Sequence, residues 1–351
     1  MIKFIIALIN ILSLVGSFYV AIKLISVKGD NLKMFLEKPY LIKAVSLVLL
    51  IIAWVDNVSL AQVDFMVFFL ILLSLLAYEK KRPFLSGIII AAAGVIKIYP
   101  LYFLLYFLLK RRFKAVTGFI VGILLFALIV PWVVLGQDNF NGSMKSWVEM
   151  RAMPHLQSAG DDTRENYARC ESQFKPSNQA FSAIIMRYFM QDSKDVVEWK
   201  TVDFKYKIYW PHPLTPKQVD TLIKVLLLLV LLISYAGLDY KRAYRDNIYL
   251  GLEYSVIFLS MLLFFPMVKS HTFAPMLFPL VVFNYLKTTR GEKQLYNSRW
   301  MEKTFWAAVV LYCLQAFRYM QVLGAGCLSI VLLWILFIGM LRKEKKLRLE
   351  S

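Results

Sequence analysis

The chain has few of the residues that build metal centres, disulfide frameworks or covalent active sites. It contains 3 cysteines and 3 histidines among 351 residues. Cys170 stands in a polar stretch, whereas Cys313 and Cys327 stand in apolar ones, a spacing that supports neither a disulfide framework nor a zinc site. A phosphate-binding glycine loop and a Gly-x-Ser-x-Gly nucleophile motif are also missing. These absences argue against a soluble nucleotide-using enzyme, and we expect no metal or nucleotide cofactor.

Charged residues are scarce as well, at 18% of the chain against 59% apolar residues. Soluble globular chains contain roughly 45–50% apolar residues. Several apolar stretches of about 17 to 23 residues are each long enough to cross a bilayer. The first of them, residues 4–26, lacks the features of a cleavable signal and is interpreted as a span. The composition therefore predicts an all-α polytopic transmembrane bundle.

The net charge of +18 comes from basic residues that cluster between the apolar runs. This placement indicates membrane topology rather than a nucleic-acid partner, because short basic loops stay in the cytoplasm. The rule puts the N-terminus outside and the C-terminus inside, and the expected location is the bacterial plasma membrane. The basic clusters are Lys80–Arg82, Lys110–Lys114, Lys241–Arg245, Lys287–Lys303 and Arg342–Arg348.

Residues 1–351 are interpreted as a single membrane domain of about nine spans. Residues 84–109 lie between two basic clusters and contain Pro100, which favours a broken, re-entrant helical hairpin. The hydrophilic residues 137–217 are expected to form an extracytoplasmic loop inserted between spans, either a lid or a spacer. The predicted spans are 4–26, 41–57, 63–79, 115–136, 218–238, 247–267, 271–287, 304–319 and 322–341.

Polar residues at membrane depth are costly in lipid and are the first candidates for function. Lys97, at the bend of the hairpin, could hold a phosphate as a point charge, or its ammonium could simply reach the headgroups. Gln62 and Asp64 follow an outer turn and could face the same cavity mouth as Lys97, or belong to a solvated turn. For Asp56, in the same turn, the solvated turn is the favoured interpretation.

Two further segments carry candidate residues. His271 follows a tight outer turn, and imidazole can hydrogen-bond a phosphate or sugar hydroxyl or move a proton. Lys269 adds a positive charge beside it, although a histidine at a helix start is often only structural. Residues 178–189 have apolar side chains at helical spacing and predict an amphipathic surface helix, with Asn178 as its cap and Arg187 on its polar face.

The order of these motifs, from about residue 40 to residue 345, resembles glycosyltransferase family 87. Each motif is short, but all of them recur in the order typical of the family. The motifs are Gln62-x-Asp64, Gly87 followed by Lys97-Ile98-Tyr99-Pro100, Lys110-Arg111-Arg112-Phe113, Asn178-Gln179-Ala180 leading to Arg187, and Pro266 followed by His271.

The resemblance implies a GT-C fold and an inverting transfer outside the cytoplasm. The donor would be a polyprenyl-phosphate sugar, usually mannose, the acceptor a lipid-linked or glycan molecule, and membrane lipids would surround both. Lys97 and His271 would serve the donor phosphate or the acceptor. The full set of candidate donor-phosphate and substrate-binding residues is Lys97, His271, Lys269, Gln62, Tyr99, Arg187 and Asn178.

The sequence departs from the family at the catalytic base. Family members carry an acidic residue in a first outer loop, and no residue here matches it. Two interpretations stay open: the chain is N-terminally incomplete, which is favoured, or Asp56 or Asp64 has taken the role. A flippase or transporter of lipid-linked saccharides and a non-catalytic lipid-binding relative are the alternatives to an enzyme, and sugar transfer would distinguish them.

Overall fold

The computed structural model describes residues 2–26, 53–149, 176–189, 214–238, 247–290 and 298–350. These residues are almost entirely helical and contain no β-strand, which confirms the all-α prediction. Helix is expected because an apolar segment in lipid must satisfy its backbone hydrogen bonds within itself. The chain divides into two compact units, one formed by Met1–Leu72 with Pro176–Ser351 and the other by Leu73–Lys175.

The helices of the described residues are numbered here in chain order. They are α1 (Ile2–Ile25), α2 (Ala53–Ser59), α3 (Asp64–Glu79), α4 (Pro83–Ile96), α5 (Tyr102–Leu109), α6 (Phe113–Leu135), α7 (Gln137–Trp147), α8 (Phe181–Phe189), α9 (Pro216–Ala236), α10 (Asn247–Phe264), α11 (Leu277–Arg290), α12 (Arg299–Leu314), α13 (Arg318–Val322) and α14 (Ala325–Glu350).

Five of the described helices are long and apolar enough to cross a membrane, namely α1, α6, α9, α10 and α14. The count rises to six if α2 and α3, which meet at a bend of 119°, are one broken span. The prediction of nine spans therefore stays a prediction. The predicted span 41–57 lies mainly outside the described residues, and the predicted span 271–287 begins as a 3-10 helix, Ser270–Met276, before α11.

Helix α10 is the centre of the first unit. In its apolar stretch, 89% of the residues are buried, and the helix packs against α1, α9, α11 and α14. The ring of Phe258 lies 5.5 Å from that of Phe68 and 5.3 Å from that of Phe278, which joins α3, α10 and α11 in one aromatic core. These contacts hold α3 and α10 together. Candidate residues lie at the start of α3 and just after the end of α10.

In the second unit, α4 and α6 approach each other through glycines. A Cβ at Gly118 would lie 2.0 Å from the carbonyl oxygen of Phe84, and one at Gly122 would lie 2.6 Å from the Cβ of Ala91. The contacts advance in the same direction along both helices, so the helices run parallel. Small residues spaced four apart permit this approach of two backbones, as they do in membrane helix pairs.

The helix break predicted around Pro100 is present. Helix α4 ends at Ile96, Lys97 is extended, and Tyr99–Leu101 form a 3-10 turn before α5. Proline disfavours helix at the residues just before it, which explains the position of the break. Whether this hairpin is re-entrant in the membrane, and whether 137–217 is an extracytoplasmic loop, stay predictions. Residues 150–175 and 190–213 of that segment lie outside the described residues.

Candidate functional site

The turn between α2 and α3 is closed by its own backbone. Gln62 N–H donates to the carbonyl of Asn57 at 2.7 Å, and Ala61 N–H donates to that of Val58 at 3.2 Å. Ala61 adopts a left-handed conformation with φ of 52°, as expected at a helix C-terminus of this pattern. The turn therefore has a defined shape that places Asp56 on one side and Asp64 on the other.

The buried amide of Asn57 joins this turn to the segment at His271. Its Nδ2 donates to the carbonyl of His271 at 3.1 Å and to that of Ala53 at 2.9 Å. Its Oδ1 accepts from the backbone N–H of Asp64 at 3.1 Å. A single side chain thus holds together two stretches of backbone that are more than 200 residues apart in the chain.

A second buried amide, Asn178, holds the Pro266–Val268 turn. Its Oδ1 accepts from the N–H groups of Val268 and Ala180, both at 3.0 Å. Its Nδ2 donates to the carbonyl of Pro266 at 3.2 Å. Gln179 adds a backbone hydrogen bond to Val268 at 2.6 Å. The residues just before Lys269 and His271 are therefore fixed by the segment that leads into α8.

Residues 178–187 also form hydrogen bonds to the turn between α13 and α14. Gln179 Nε2 donates to the carbonyl of Gln321 at 2.8 Å, and its Oε1 accepts from Gly326 N–H at 3.1 Å. Arg187 donates through Nη1 to the carbonyl of Asn178 at 2.9 Å and through Nη2 to that of Gln321 at 3.3 Å. The residues 56–64, 178–187, 266–271 and 321–326 therefore form one hydrogen-bonded assembly, called the amide cluster below.

The sequence prediction of helix 178–189 is confirmed for α8 but was wrong about its surroundings. Asn178 bonds the backbone at the start of the helix, as a cap does, yet its side chain is fully buried. Arg187 does not lie on an exposed polar face, because it is 8% exposed and bonds two backbone carbonyls. The reason is that a guanidinium can satisfy several carbonyls at once, which hydrophobic periodicity does not reveal.

The remaining candidates of the first unit differ in exposure. Asp64 is completely buried at the first position of α3, where a carboxylate stabilises the helix N-terminus. Asp56, Gln62, Lys269 and His271 are half-buried. Residues 56–64 and 269–271 are thus brought together by the amide cluster, with carboxylates on one segment and a cation and an imidazole on the other.

Lys97 and Tyr99 belong to the second unit. Lys97 is half-buried and follows the last residue of α4, where a cation interacts favourably with the helix dipole. Tyr99 is 4% exposed in the 3-10 turn. The helix-terminal position gives Lys97 a structural role that is compatible with a second role at a ligand.

Sequence reasoning singled out neither Asn57 nor Gln321 as a functional residue, and it passed over Glu253. Asn57 is adjacent to Asp56 in a polar turn, but its partner His271 is too distant in the chain to be inferred. Glu253 had a usable signal, since it is an acidic residue in an otherwise apolar span and is fully buried in α10.

Removing the Asn178 amide should destabilise the fold. Asn178→Ala deprives two buried N–H groups and one carbonyl of their partner, at about 1–3 kcal/mol for each group left unsatisfied. The control is Asn139→Ala, because Asn139 is exposed and its amide donates to the carbonyl of Leu135, four residues earlier at the end of α6. In thermal unfolding of the purified protein, Asn178→Ala should lower Tm by several degrees and Asn139→Ala by less than about one. Equal shifts would contradict the assignment of the amide cluster.

The described residues define a polytopic α-helical protein of the membrane, with polar side chains gathered where apolar helices end. A family model described as glycosyltransferase family 87 matches residues 1–266, most of the chain, and the chain therefore belongs to that family. It is a membrane glycosyltransferase. Comparison with curated proteins and with solved structures finds no match. Lys269 and His271 lie just beyond the matched region, and the other candidate residues lie within it.

Proposed function

We propose that the protein transfers a sugar, mannose, from a polyprenyl-phosphate donor to a lipid-linked or glycan acceptor, with inversion, on the extracytoplasmic side. The observation that supports this most directly is the bridge made by Asn57. It brings the carboxylate-bearing turn together with the segment of Lys269 and His271 at the ends of apolar helices. Inverting transfer needs a base for the acceptor hydroxyl and positive groups for the departing phosphate.

The position of these groups supports a donor that is held in the bilayer. In the apolar stretches of α6 and α9, only 17% and 28% of the residues are buried, so long apolar faces are available to lipid. A polyprenyl chain is soluble in that environment, and its phosphate would lie at the level where the helices end. The amide cluster lies at such a level, since α3 begins there at Asp64 and α10 ends just before it at Phe264.

The basic residues support an extracytoplasmic position for the site. Helix α3 runs from Asp64 to Glu79, about 24 Å at 1.5 Å per residue, and the basic residues Lys80–Arg82 follow it directly. The positive-inside rule assigns the basic end to the cytoplasm. The amide cluster then belongs to the extracytoplasmic side, where lipid-linked sugars replace nucleotide sugars as donors.

Asp56 is the better candidate for the base within this proposal. It is half-buried, and its carboxylate accepts no hydrogen bond from the described residues. Asp64 is completely buried at the first position of α3, which suits a structural carboxylate. His271 and Lys269 would then stabilise the negative charge on the phosphate as the glycosidic bond breaks.

Lys97 remains the candidate for the donor phosphate in the second unit. It lies at the opposite end of α4 from the basic turn at 80–82, at a helix break where the residue is half-buried. A lysine acts on phosphate as a point charge and needs no fixed geometry.

The proposal is tested by assaying transfer with purified protein in lipid vesicles. Labelled mannose should pass from polyprenyl-phosphate mannose to an acceptor in a membrane extract, and none should pass from a nucleotide-linked mannose. Lys97→Ala should weaken donor binding about tenfold, whereas Lys145→Ala, whose side chain is 76% exposed on α7, should leave it unchanged.

Three results would count against the proposal. Transfer from the nucleotide-linked mannose would show that the donor is not a polyprenyl phosphate. Equal donor binding by both lysine variants would show that Lys97 does not bind the donor phosphate. Movement of labelled lipid across the vesicle without any transfer would favour the flippase.

A further inference from the structure

Two turns of the second unit each consist of three consecutive basic residues, and they have the same shape. Lys80–Arg82 join α3 to α4, and Lys110–Arg112 join α5 to α6. In the first turn, Arg82 N–H donates to the carbonyl of Ala77 at 3.0 Å, and in the second, Arg112 N–H donates to that of Phe107 at 2.8 Å. Both helices therefore end in a Schellman motif, in which an N–H bonds the carbonyl five residues earlier. The residue before that N–H donor adopts a left-handed conformation and is usually glycine.

The residue in the glycine position is a cation in both turns. Lys81 has φ of 61° and Arg111 has φ of 55°. The left-handed conformation is unfavourable for side chains with a Cβ, and glycine or asparagine is the usual occupant. The preference for basic residues on the cytoplasmic side depends on charge alone, so it does not explain why cations occupy strained positions.

Aromatic rings hold the basic turns in one patch. Arg112 lies over the ring of Tyr78, at 5.9 Å, and that ring lies 5.4 Å from the ring of Phe107. Lys110, only 7% exposed, lies 5.4 Å from the centre of Tyr106. The end of α3 and the end of α5 are thus in contact through side chains that include the cations themselves.

The patch has an excess of positive charge. Seven cations lie within the two turns and the start of α6, with Glu79 as the neighbouring acidic residue. Five of the seven are exposed and form no ion pair within the described part of the chain. The cations are Lys80, Lys81, Arg82, Lys110, Arg111, Arg112 and Lys114.

We propose that this patch, called the basic patch, binds the phosphate headgroup of an anionic membrane lipid on the face away from Lys97. The parallel packing of α4 and α6 starts at the patch, and neither helix has a side-chain cap at its N-terminus. The N–H groups of their first turns, which in α4 begin at Phe84 because Pro83 has none, add to the positive potential there. Basic pockets between helices on the cytoplasmic side suit such headgroups. The site is independent of sugar transfer and about 21 Å from Lys97 along α4.

The test removes charge without disturbing the turns. The full-length protein in detergent is titrated with phosphatidylglycerol and, in parallel, with phosphatidylcholine, and bound lipid is counted by native mass spectrometry. The double variant Lys81→Gly with Arg111→Gly keeps the left-handed turns, so its Tm should not fall. It should bind phosphatidylglycerol roughly thirtyfold more weakly, since each cation near an anionic headgroup contributes roughly fivefold.

A matched control removes two charges elsewhere. Lys145→Gln with Lys217→Gln, both exposed, should leave binding unchanged. The proposal is overturned if the control loses as much binding as the double glycine variant, or if phosphatidylcholine binds equally well. Displacement of the lipid by millimolar inorganic pyrophosphate would assign the patch to a soluble anion and overturn the lipid assignment. If the glycine variant loses stability, Lys81→Asn with Arg111→Asn repeats the test, because asparagine tolerates the same conformation.

Discussion

Replacement of Asp56 by asparagine should slow sugar transfer by a factor of about 10² to 10⁴ and leave donor binding unchanged. Asparagine has the shape of aspartate but cannot take a proton from the acceptor hydroxyl. The backbone carbonyl of Asp56, which accepts from Ser59 Oγ and from Leu60 N–H, is untouched, so the turn should persist. The measurement is the single-turnover rate in vesicles together with the affinity for the donor.

Two controls make this result specific. Asp220→Asn changes a carboxylate that is 54% exposed and paired with Lys224, and its rate should equal that of the unaltered protein. Asp64→Asn separates the two carboxylates of the turn. If that variant folds normally and loses transfer while Asp56→Asn retains it, the base is Asp64 and the assignment by exposure is wrong.

The elements that could be predicted from the sequence are those governed by local chemistry. Long apolar runs with few charges predict α1, α6, α9, α10 and α14, because a membrane leaves helix as the only conformation for such a run. The break at Lys97 follows from Pro100, whose effect reaches only its near neighbours. The all-helical fold class and the break at Lys97 can therefore be predicted without knowledge of the tertiary fold.

The amide cluster could not be predicted, because its bonds join residues far apart in the chain. Asn57 and His271 are separated by 214 residues, and Gln179 and Gly326 by 147. A buried amide that bonds carbonyl groups has no periodicity in sequence. The same reason explains the error at Arg187, since a helix with a charged residue on one face is the usual sign of a solvated surface.

The cluster also connects the region matched by the family with the region beyond it. Asn178, Gln179 and Arg187 lie within residues 1–266, whereas their partners at Val268, Gln321 and Gly326 follow it. A Cβ at Gly326 would lie 2.5 Å from Oε1 of Gln315 and 3.1 Å from Gln179 Cγ. The C-terminal helices are therefore part of the structure that orients His271, and variants there should affect transfer through position rather than chemistry.

The pattern Gly118-x-x-x-Gly122 is a sequence feature typical of closely packed helices, as α4 and α6 are. A substitution at this contact has the largest expected effect on stability. Gly118→Ala would place a Cβ 2.0 Å from the carbonyl oxygen of Phe84, a backbone atom that cannot rotate away. Overpacking usually costs about 1–3 kcal/mol, and a contact with backbone at this distance should exceed that range. We expect little folded protein, or a Tm lower by more than about 10 °C, by size-exclusion fluorescence and thermal unfolding.

Gly142→Ala is the matched control, because it makes the same chemical change within helix α7 where a Cβ meets nothing within 4 Å. There the substitution should be neutral or stabilising by up to about 1 kcal/mol, since alanine favours helix over glycine. The contrast isolates steric contact from helix propensity, which alone would make both variants more stable. A folded Gly118→Ala protein with unchanged Tm would mean that the two helices are farther apart than this packing requires, and with them the two turns that form the basic patch.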